Sequence, residues 1–339
     1  MIEIRENVPL APLTTLRVGG AARFFAEVRS EEDVEAALGE AKRGGLRVAV
    51  LGNGSNVLVS DEGVDGFVLH NAIPGLEIVK EGDETFLIAG AGVAWDEAVD
   101  FACAAGLWGI ENLAGIPSTA GAAAVQNIGA YGADIARTFV WADAMSRTSG
   151  DKVRVSAKDA AQSYRDSAFK RSGAFVITRI ALRLARAASP LLSYKGLASL
   201  RERATAELTP AVVAAAVRKI RIEKFPKING EGTAGSFFKN PFLSSRDYHA
   251  LKTRFPELPG VQTNTGIKIP LAWLLDRALG LSGFARGGAR LYEGHPIILV
   301  TSRGARAADV DALARIVVAR VKTEFNIHIE REVQLFVAR

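Results

Sequence analysis

The spacing of apolar residues predicts several helices along the chain. Between residues 34 and 41, apolar side chains recur every three or four positions, which is the period of one helix face. Ser30 precedes this pattern and acidic residues fill its first turn, so Ser30 is expected to cap a helix that Gly44 and Gly45 end. Similar patterns predict helices at about 95–105, 209–223, 244–254, 270–279 and 307–325.

Short apolar runs between turn residues predict the strands. Helices and strands alternate through much of the chain, and a strand, a helix and a second strand precede the first glycine-rich loop, as in many nucleotide sites. Residues 185–190, which end in Pro190, predict a domain boundary. The predicted strands lie at about 24–28, 47–51, 76–80, 85–89, 138–145, 152–156, 175–184, 297–301 and 332–338.

A stretch of small residues, 111–132, is the first candidate for a ligand site. After Glu111 it has no charged side chain before Asp134, and Gly, Ala, Ser, Thr and Asn dominate it. Small residues let the backbone approach a ligand, and free N–H groups can then hold phosphate oxygens. With so few large apolar groups, the stretch is expected to contribute little to a core. A tightly packed helix–strand turn is the alternative.

A second glycine-rich segment, residues 52–58 (GNGSNVL), follows a predicted strand. Its spacing is not a dinucleotide fingerprint, because Val57 occupies the place of the third glycine. Trp95 does the same in a later segment, 90–95. Together, the two uncharged stretches at 52–58 and 111–132 could hold a large cofactor that contains a pyrophosphate.

Composition indicates a globular protein of two or three domains. The chain has 339 residues, 48% apolar and 23% charged. No run approaches ~18 apolar residues, and MIEIRENVPL lacks the pattern of a secretory signal, so no membrane partner is predicted. The single cysteine, Cys103, excludes an internal disulfide and is expected to be structural. These features predict a cytoplasmic protein, and the lack of a long exposed apolar stripe predicts a monomer.

The charge pattern indicates a small anionic ligand. The net charge is +5, and residues 201–227 carry seven Lys or Arg against three Glu. Nucleic-acid surfaces usually interleave such cations with aromatic residues, but Phe225 is the only aromatic residue here. The four histidines show no ligand spacing, so no metal site is predicted, and no nucleophile motif is apparent.

Five motifs in order resemble one enzyme family. They are GNGSNVL at 52–58, IPSTAGAAAVQNIGAYG at 116–132, YRDS at 164–167, GTAGSFFKNP at 232–241 and IEREV at 329–333. The chain is similar to the UDP-N-acetylenolpyruvoylglucosamine reductases, flavoenzymes of peptidoglycan precursor synthesis. The resemblance implies an α/β (α+β) fold, in which a vanillyl-alcohol-oxidase-type FAD-binding part has two lobes, residues 1–70 and 71–205. A separate α/β substrate domain, 206–325, and a terminal strand, 326–339, follow.

The same resemblance implies the reaction and its cofactors. Hydride passes from NADPH to FAD and then to the terminal carbon of the enolpyruvyl ether of a UDP-sugar, and the neighbouring carbon is protonated. Addition of hydride creates an enolate, which a fixed cation stabilises in the transition state. The FAD is expected to be non-covalent, since neither FAD loop contains His or Cys.

Three residues are expected to carry the chemistry. Arg165, in YRDS, matches the cation that faces the enolate. Glu332, in IEREV, would repel an enolate as a free anion, so it is expected to be protonated or paired with Arg165. Ser236 matches the proton donor, which needs a relay because a hydroxyl is a weak acid. The relay candidates are Lys224, Lys239 and Glu332.

The resemblance also assigns binding residues. Tyr194 matches a tyrosine that closes over the diphosphate in one subclass of the family, whereas His295 stands where the family has a glutamine, and Ser118 where glycine is common. The substrate positions are Tyr164, Tyr194, Lys224, Asn240 and His295. The FAD positions are Gly52, Asn53, Gly54, Ser55, Asn56, Val57, Leu58, Ile116, Pro117, Ser118, Thr119, Gly121, Ala122, Gln126, Asn127, Ile128, Gly129 and Tyr131.

Two alternatives remain at this point. Another FAD-dependent oxidoreductase or oxidase of the same superfamily would share the FAD loops but would not need Ser236. A basic protein that kept the fold and binds nucleic acid or another anion would show a steep salt dependence. Outside the resemblance, each site residue has an ordinary structural role available, such as a surface ion pair at YRDS or a strand end at Ser236.

Overall fold

The computed structural model describes residues 2–202, 207–226 and 230–338. Its first part is a four-stranded sheet in the order β1-β2-β5-β3, in which β2, β5 and β3 are parallel and β1 is antiparallel at the edge. The buried stripe of helix α1 packs on this sheet, and Ser30 caps the helix by accepting from Asp33 N at 3.1 Å. The elements are β1 Arg5–Pro9, β2 Ala21–Val28, α1 Glu31–Arg43, β3 Val48–Leu51, β4 Val57–Leu58 and β5 Val64–Asn71.

The second part is a five-stranded antiparallel sheet in the order β11-β10-β12-β7-β6. Helices α2, α3 and α6 contribute buried residues to the core beside it, with Trp95 fully buried. The elements are β6 Leu76–Glu81, β7 Glu84–Gly90, α2 Trp95–Ala104, α3 Ala120–Gln126, β8 Gly129–Ala130, β9 Ala133–Asp134, β10 Phe139–Ser146, β11 Lys152–Ser156, α4 Ala157–Ala160, α5 Ala168–Ser172, β12 Phe175–Leu184 and α6 Pro210–Lys224.

The third part has a four-stranded antiparallel sheet, β13-β19-β18-β17, and a small three-stranded sheet, β14-β16-β15. The long helix α9 buries one apolar stripe in the core of this part. The elements are β13 Gly232–Ser236, β14 Phe242–Leu243, α7 Ser245–Arg254, β15 Val261–Thr263, β16 Gly266–Lys268, α8 Leu271–Trp273, β17 Ala285–Arg286, β18 Ala289–Leu291, β19 Ile298–Thr301, α9 Ala307–Phe325 and β20 Gln334–Leu335.

The end of the chain returns to the first part. Strand β20 pairs in parallel with β4, and Phe336 N donates to Leu58 O at 2.9 Å. The predicted strand at 332–338 is therefore present but shorter, because β4 offers only two residues for pairing. Through this pairing, the segment that contains Glu332 lies beside the glycine-rich loop 52–58.

Most predicted elements are confirmed, and the α/β class with them. Strand β12 has the predicted bounds, and α1, α2, α6, α7 and α9 lie within one or two residues of theirs. The predicted helix 270–279 is wrong in type, because α8 continues as a π-helix, Leu274–Ala278, that holds Leu274 and Leu275 in the core. Strand β5 was not predicted, since Asp65 and Gly66 interrupt its apolar pattern. Within the described residues, no helix combines the length and apolar composition needed to cross a bilayer.

Candidate active site

One large cavity lies where the three parts meet. Its volume is about 1270 Å³, and its walls come from loop 52–57, the small-residue stretch, the YRDS turn, α6, β13 and the C-terminal segment. Of the residues predicted to bind cofactor or substrate or to carry the chemistry, all line this cavity except Leu58 and His295. Motifs separated by more than 100 residues in the sequence are thus brought to one site.

Loop 52–57 presents its backbone to the cavity. Gly54 has φ +59°, and a Cβ there would collide with the carbonyl of Leu13, so glycine is required on both counts. The loop's carbonyls are held from behind, since Gly54 O accepts from Thr15 N and Asn56 O from Gln334 N, each at 3.1 Å. Among the described residues, none receives a hydrogen bond from the N–H groups of 53–56. These donors are free for phosphate oxygens.

The small-residue stretch is both a packed turn and a cavity wall. Thr119 caps α3, and Ala120 N and Gly121 N donate to Val93 O and Ala91 O, each at 2.9 Å. The expectation of free N–H groups at this turn is therefore wrong for these two residues, because the preceding chain already uses them. The expectation of little core contribution is also wrong. Small side chains allow close packing, and the following residues are buried in the core of the second part: Leu113, Ala114, Ala120, Ala123, Ala124 and Ile128.

A hydrogen bond joins the two loops, and buried polar atoms beside them have no protein partner among the described residues. Asn53 Nδ2 donates to Pro117 O at 3.3 Å, which connects loop 52–57 to the small-residue stretch. Thr15 Oγ1 and Gln126 Nε2 are buried, line the cavity and have no hydrogen-bond partner among the described residues. Since buried polar groups are nearly always paired, these atoms indicate that a polar ligand completes the site. Free backbone donors and unpaired side chains together fit a cofactor with a diphosphate and a polar ring.

Arg165 and Glu332 both line the cavity and lie in contact with each other. Arg165 Nε is 2.9 Å from Glu332 Oε1, which confirms the expected pairing, although the N–H does not point at the oxygen. Arg165 is in the left-handed region, with φ 56°. This conformation is costly for a side chain other than glycine and is typical of functional positions.

Ser236 lines the same cavity, and backbone hydrogen bonds tie its strand to the segment that contains Glu332. The serine is the last residue of β13 and is half-buried, directly before the buried Phe237. Glu332 N donates to Phe237 O at 2.8 Å, and Phe237 N donates to Ile297 O at 2.8 Å. The serine of one motif and the glutamate of another are therefore held on adjacent backbone segments.

Four of the five predicted substrate residues, Tyr164, Tyr194, Lys224 and Asn240, line the cavity and give it a cationic and aromatic wall. Tyr164 lies under Lys268, whose Nζ is 4.0 Å from the ring centroid, and burial raises the pKa of Tyr164. Tyr194 meets Tyr131 edge to face at 4.9 Å. Asn240 Oδ1 accepts from Leu271 N at 2.9 Å, so its amide group is oriented by the chain.

Several cations near the cavity are partly desolvated. Burial, strengthened by the charge of Arg221, lowers the pKa of Lys224. Burial and the charge of Arg165 lower the pKa of Lys268, and burial with the charge of Lys239 lowers the pKa of Lys170 to about 8. Desolvated cations gain most from an anionic ligand.

Three sequence predictions differ from the structure. Leu58 is buried under the C-terminal segment, and His295 lies behind the wall, where burial and the charge of Lys224 lower its pKa to about 4. The proposed relay residue Lys239 pairs with Glu330 at 2.7 Å and does not line the cavity.

The structural role expected for Cys103 agrees with its surroundings. Cys103 packs against the core of the second part, and burial raises the pKa of its thiol to about 12.

Several lining residues were not predicted as part of the site, among them the cations Arg221, Lys170 and Lys268. Arg221 donates to Gly115 O at 2.9 Å, and Lys170 and Lys268 extend into the cavity. A signal was available for two of them, since Lys170 follows the YRDS turn by three residues and Arg221 belongs to the cationic run at 201–227. Lys268 lies in a short strand whose position at the cavity depends on the fold alone.

Comparisons with known proteins agree with this geometry. Residues 22–156 match the FAD binding domain family, and residues 227–336 match the C-terminal domain of UDP-N-acetylenolpyruvoylglucosamine reductase. The reductases of that name from Pseudomonas putida and Escherichia coli are each 35% identical to this chain, over 99% and 97% of it and 99% and 95% of their own lengths. The crystal structure of the Thermus caldophilus enzyme superposes with a TM-score of 0.69 at 27% identity, covering 99% of this chain and 100% of that one. The chain belongs to the UDP-N-acetylenolpyruvoylglucosamine reductase family.

Proposed function

We propose that this protein uses FAD and NADPH to reduce the enolpyruvyl ether of UDP-N-acetylglucosamine to the lactyl ether, a step of peptidoglycan precursor synthesis. The observation that carries the proposal is the meeting of Arg165, Glu332 and Ser236 on the wall of one cavity. Two loops that suit FAD border the same cavity. An oxidase that shared only the flavin fold would not need this arrangement.

The cofactor would lie along the two loops. The N–H groups of residues 53–56 would hold its diphosphate, and Gln126 and the small residues of α3 would face its ring. When bound, FAD supplies the hydride that it has received from NADPH. The flavin is expected to be held without a covalent bond, because no His or Cys is among the described residues that line the cavity.

The enolpyruvyl group would be placed against Arg165. Its guanidinium carries a permanent charge and a planar set of donors, so it stabilises the negative charge that hydride addition puts into the substrate. Glu332 forms an ion pair with this guanidinium at 2.9 Å, which keeps the carboxylate from standing as an uncompensated anion beside the substrate. Ser236 lies on the backbone segment tied to Glu332, and its hydroxyl would deliver the proton to the neighbouring carbon.

The UDP-sugar would occupy the cationic wall. Lys224 and Arg221 would offer positive charge to the diphosphate, and Tyr194, which lines the cavity and is 38% exposed, would close over it. Tyr164 and Asn240 would contact the enolpyruvyl end. This division assigns residues 1–70 and 71–205 to FAD, 206–325 to substrate and 326–339 to the terminal strand that delivers Glu332. Residues 203–206 at one of these boundaries lie outside the described residues.

The test separates the two half-reactions. Under anaerobic conditions, just enough NADPH is added to bleach the flavin, then enolpyruvyl-UDP-N-acetylglucosamine, and the flavin band is followed. We expect the colour to return at once in the natural protein. In Ser236→Ala, NADPH should bleach the flavin normally, but recolouring should slow by about 10²- to 10⁴-fold, the contribution of a general acid. The exposed Ser245→Ala is the matched control and should behave like the natural protein.

Other outcomes would contradict the proposal in different ways. Flavin that stays bleached until oxygen enters would indicate an oxidase. Normal recolouring in Ser236→Ala would remove that serine from the proton transfer. A protein that takes up no flavin but binds nucleic acid would reject the enzyme altogether, and yellow colour that stays on the denatured chain would reject a non-covalent flavin.

A further inference from the structure

Lys170, on the short helix α5, joins two groups of the candidate active site. Its side chain lines the cavity, and its Nζ donates to Gln126 Oε1 at 2.7 Å and to the carbonyl oxygen of Arg165 at 2.9 Å. Gln126 belongs to the FAD wall and Arg165 to the enolpyruvyl wall. One ammonium group therefore contacts both halves of the site proposed above, on which the following inference rests.

The first consequence concerns the amide group of Gln126. A lysine ammonium has three donors and no acceptor, so it can pair only with the amide oxygen. Oε1 must then face Lys170, and the Nε2 group must face the other way. This nitrogen is buried and has no partner among the described residues. The oxygen and nitrogen of a side-chain amide can exchange places when no partner distinguishes them. Lys170 distinguishes them in Gln126, so the Nε2 group is fixed as a hydrogen-bond donor towards the cavity.

The second consequence concerns the backbone of Arg165. This residue has φ 56°, a conformation that is unfavourable for any residue with a Cβ and needs support from its surroundings. The hydrogen bond from Lys170 holds its carbonyl, and the Ser163–Asp166 backbone pair closes the turn around it. The direction of the Arg165 side chain depends on this backbone, so Lys170 also bears on the ion pair with Glu332.

Lys170 is suited to hold two acceptors at once. It is partly buried, and the charged groups of Arg165, Asp166, Lys239 and Glu332 surround it. A desolvated ammonium loses most of its water, so its remaining hydrogen bonds to protein are strong and directional. A neutral residue of the same length would fill the space but would orient neither acceptor.

We propose that Lys170 is a positioning residue that presents the Gln126 amide as a donor to a carbonyl oxygen of the flavin ring while it holds the Arg165 backbone. The pyrimidine half of a flavin has two carbonyl oxygens that accept hydrogen bonds and become more electron-rich on reduction. A fixed donor there tightens FAD binding and favours the reduced cofactor. Through its two hydrogen bonds, Lys170 thereby fixes the cofactor site and the enolpyruvyl site relative to each other.

The test measures FAD binding to the flavin-free protein, without NADPH or substrate. We expect Lys170→Met and Gln126→Leu each to weaken FAD binding about tenfold, as for the loss of one buried hydrogen bond. The double variant should be no weaker than either single variant, because both act through the same amide. Lys170→Arg should restore part of the affinity, and the exposed Lys158→Met on α4 is the matched control.

A further variant guards against simple misfolding. Gln126→Glu keeps a partner for Lys170 and strengthens that pair, but it offers no donor to the cavity. It should fold well, lose FAD affinity at least as strongly as Gln126→Leu, and make the bound flavin harder to reduce in an anaerobic dye titration.

Unchanged FAD binding in Lys170→Met or Gln126→Glu, or losses that multiply in the double variant, would overturn the inference and leave the proposed reaction intact. Failure of the enolpyruvyl substrate to reoxidise the flavin would overturn the reaction but not these FAD effects. A natural protein that binds no FAD would overturn both.

Discussion

At the scale of single residues, the site is defined by cations that have lost part of their water. Burial lowers the pKa values of Lys170, Lys224 and Lys268, and each of these lysines lines the cavity. Placing several such groups together costs stability in the absence of a ligand. A substrate with a diphosphate and a carboxylate offsets this cost, which explains why these partly buried lysines are kept at the cavity.

His295 is the residue whose titration tests this arrangement directly. Its pKa is lowered to about 4 by burial and by Lys224, and Nδ1 is buried without a partner among the described residues. The unfolded chain binds a proton near pH 6.5, whereas the folded protein resists it until about pH 4, so stability must rise with pH between these values. In flavin-free protein, His295→Gln should remove about 1 to 2 kcal/mol of this pH dependence, a figure reduced for the ring's partial solvation.

The measurement is the free energy of unfolding in urea at pH 4, 5, 6.5 and 7.5 for the natural and variant proteins. His249→Gln is the matched control, because His249 is exposed on α7. Equal slopes for His295→Gln and the natural protein between pH 4 and 6.5 would show that His295 takes up its proton normally in the fold.

At the scale of elements, the sequence predicts what depends on local pattern. Strand β12 has the predicted bounds because its ten residues are mostly apolar and turn residues lie on both sides. Helix α1 was found because Ser30, the acidic first turn and the apolar stripe agree. Strand β5 was not predicted because Asp65 and Gly66 interrupt its apolar pattern, and it forms between β2 and β3, which are distant in sequence.

Long-range contacts also explain the errors within elements. The stretch 111–132 looked too small to form a core, yet its alanines pack because other elements come close to them. The π-helix after α8 holds two adjacent leucines, Leu274 and Leu275, in the core of the third part, and the apolar spacing alone does not distinguish it from an α-helix. Such features belong to the assembled molecule and cannot be read from local spacing.

The C-terminal strand makes an element-scale prediction. The exposure of its side chains alternates. Phe336 is 8% exposed and packs in the core of the first part, whereas Leu335 is 58% exposed. Phe336→Ala should destabilise the flavin-free protein by about 3 kcal/mol, because it leaves a cavity beneath β20. Leu335→Ala, the matched control one position away, should cost under about 0.5 kcal/mol. Urea unfolding compares them, and similar losses would mean that the strand is not anchored by Phe336.

At the scale of the whole molecule, the site exists only because distant segments are assembled. The five motifs predicted which residues belong together, but not how they meet. Glu332 reaches Arg165 because β20 pairs with β4 and because Glu332 N bonds to Phe237 O. The position of Lys268 at the cavity and the absence of His295 from its lining depend on the same packing of distant segments. A resemblance can therefore assign roles, while the contacts that support them require the fold.

A single carboxylate between the first and third parts provides a test of that assembly. Asp61 follows β4, and its Oδ1 and Oδ2 accept from Ala307 N at 2.8 Å and Ala308 N at 3.0 Å, so it caps helix α9 from another part of the molecule. Asp61→Ala should cost about 1 to 2 kcal/mol, since the cap and its interaction with the helix dipole are both lost. Asp61→Asn, which keeps one oxygen acceptor, should recover about half.

The control for this prediction is a nearby aspartate that makes only a surface contact. Asp65, whose side chain is 81% exposed, pairs with Arg23 at 3.0 Å, and Asp65→Ala should cost under about 0.5 kcal/mol because exposed ion pairs contribute little. Urea unfolding gives the losses, and amide hydrogen exchange should speed up at the start of α9 in Asp61→Ala alone. Equal losses in the two alanine variants, with unchanged exchange, would mean that α9 is held by its apolar stripe and that the cap does not contribute to joining the two parts.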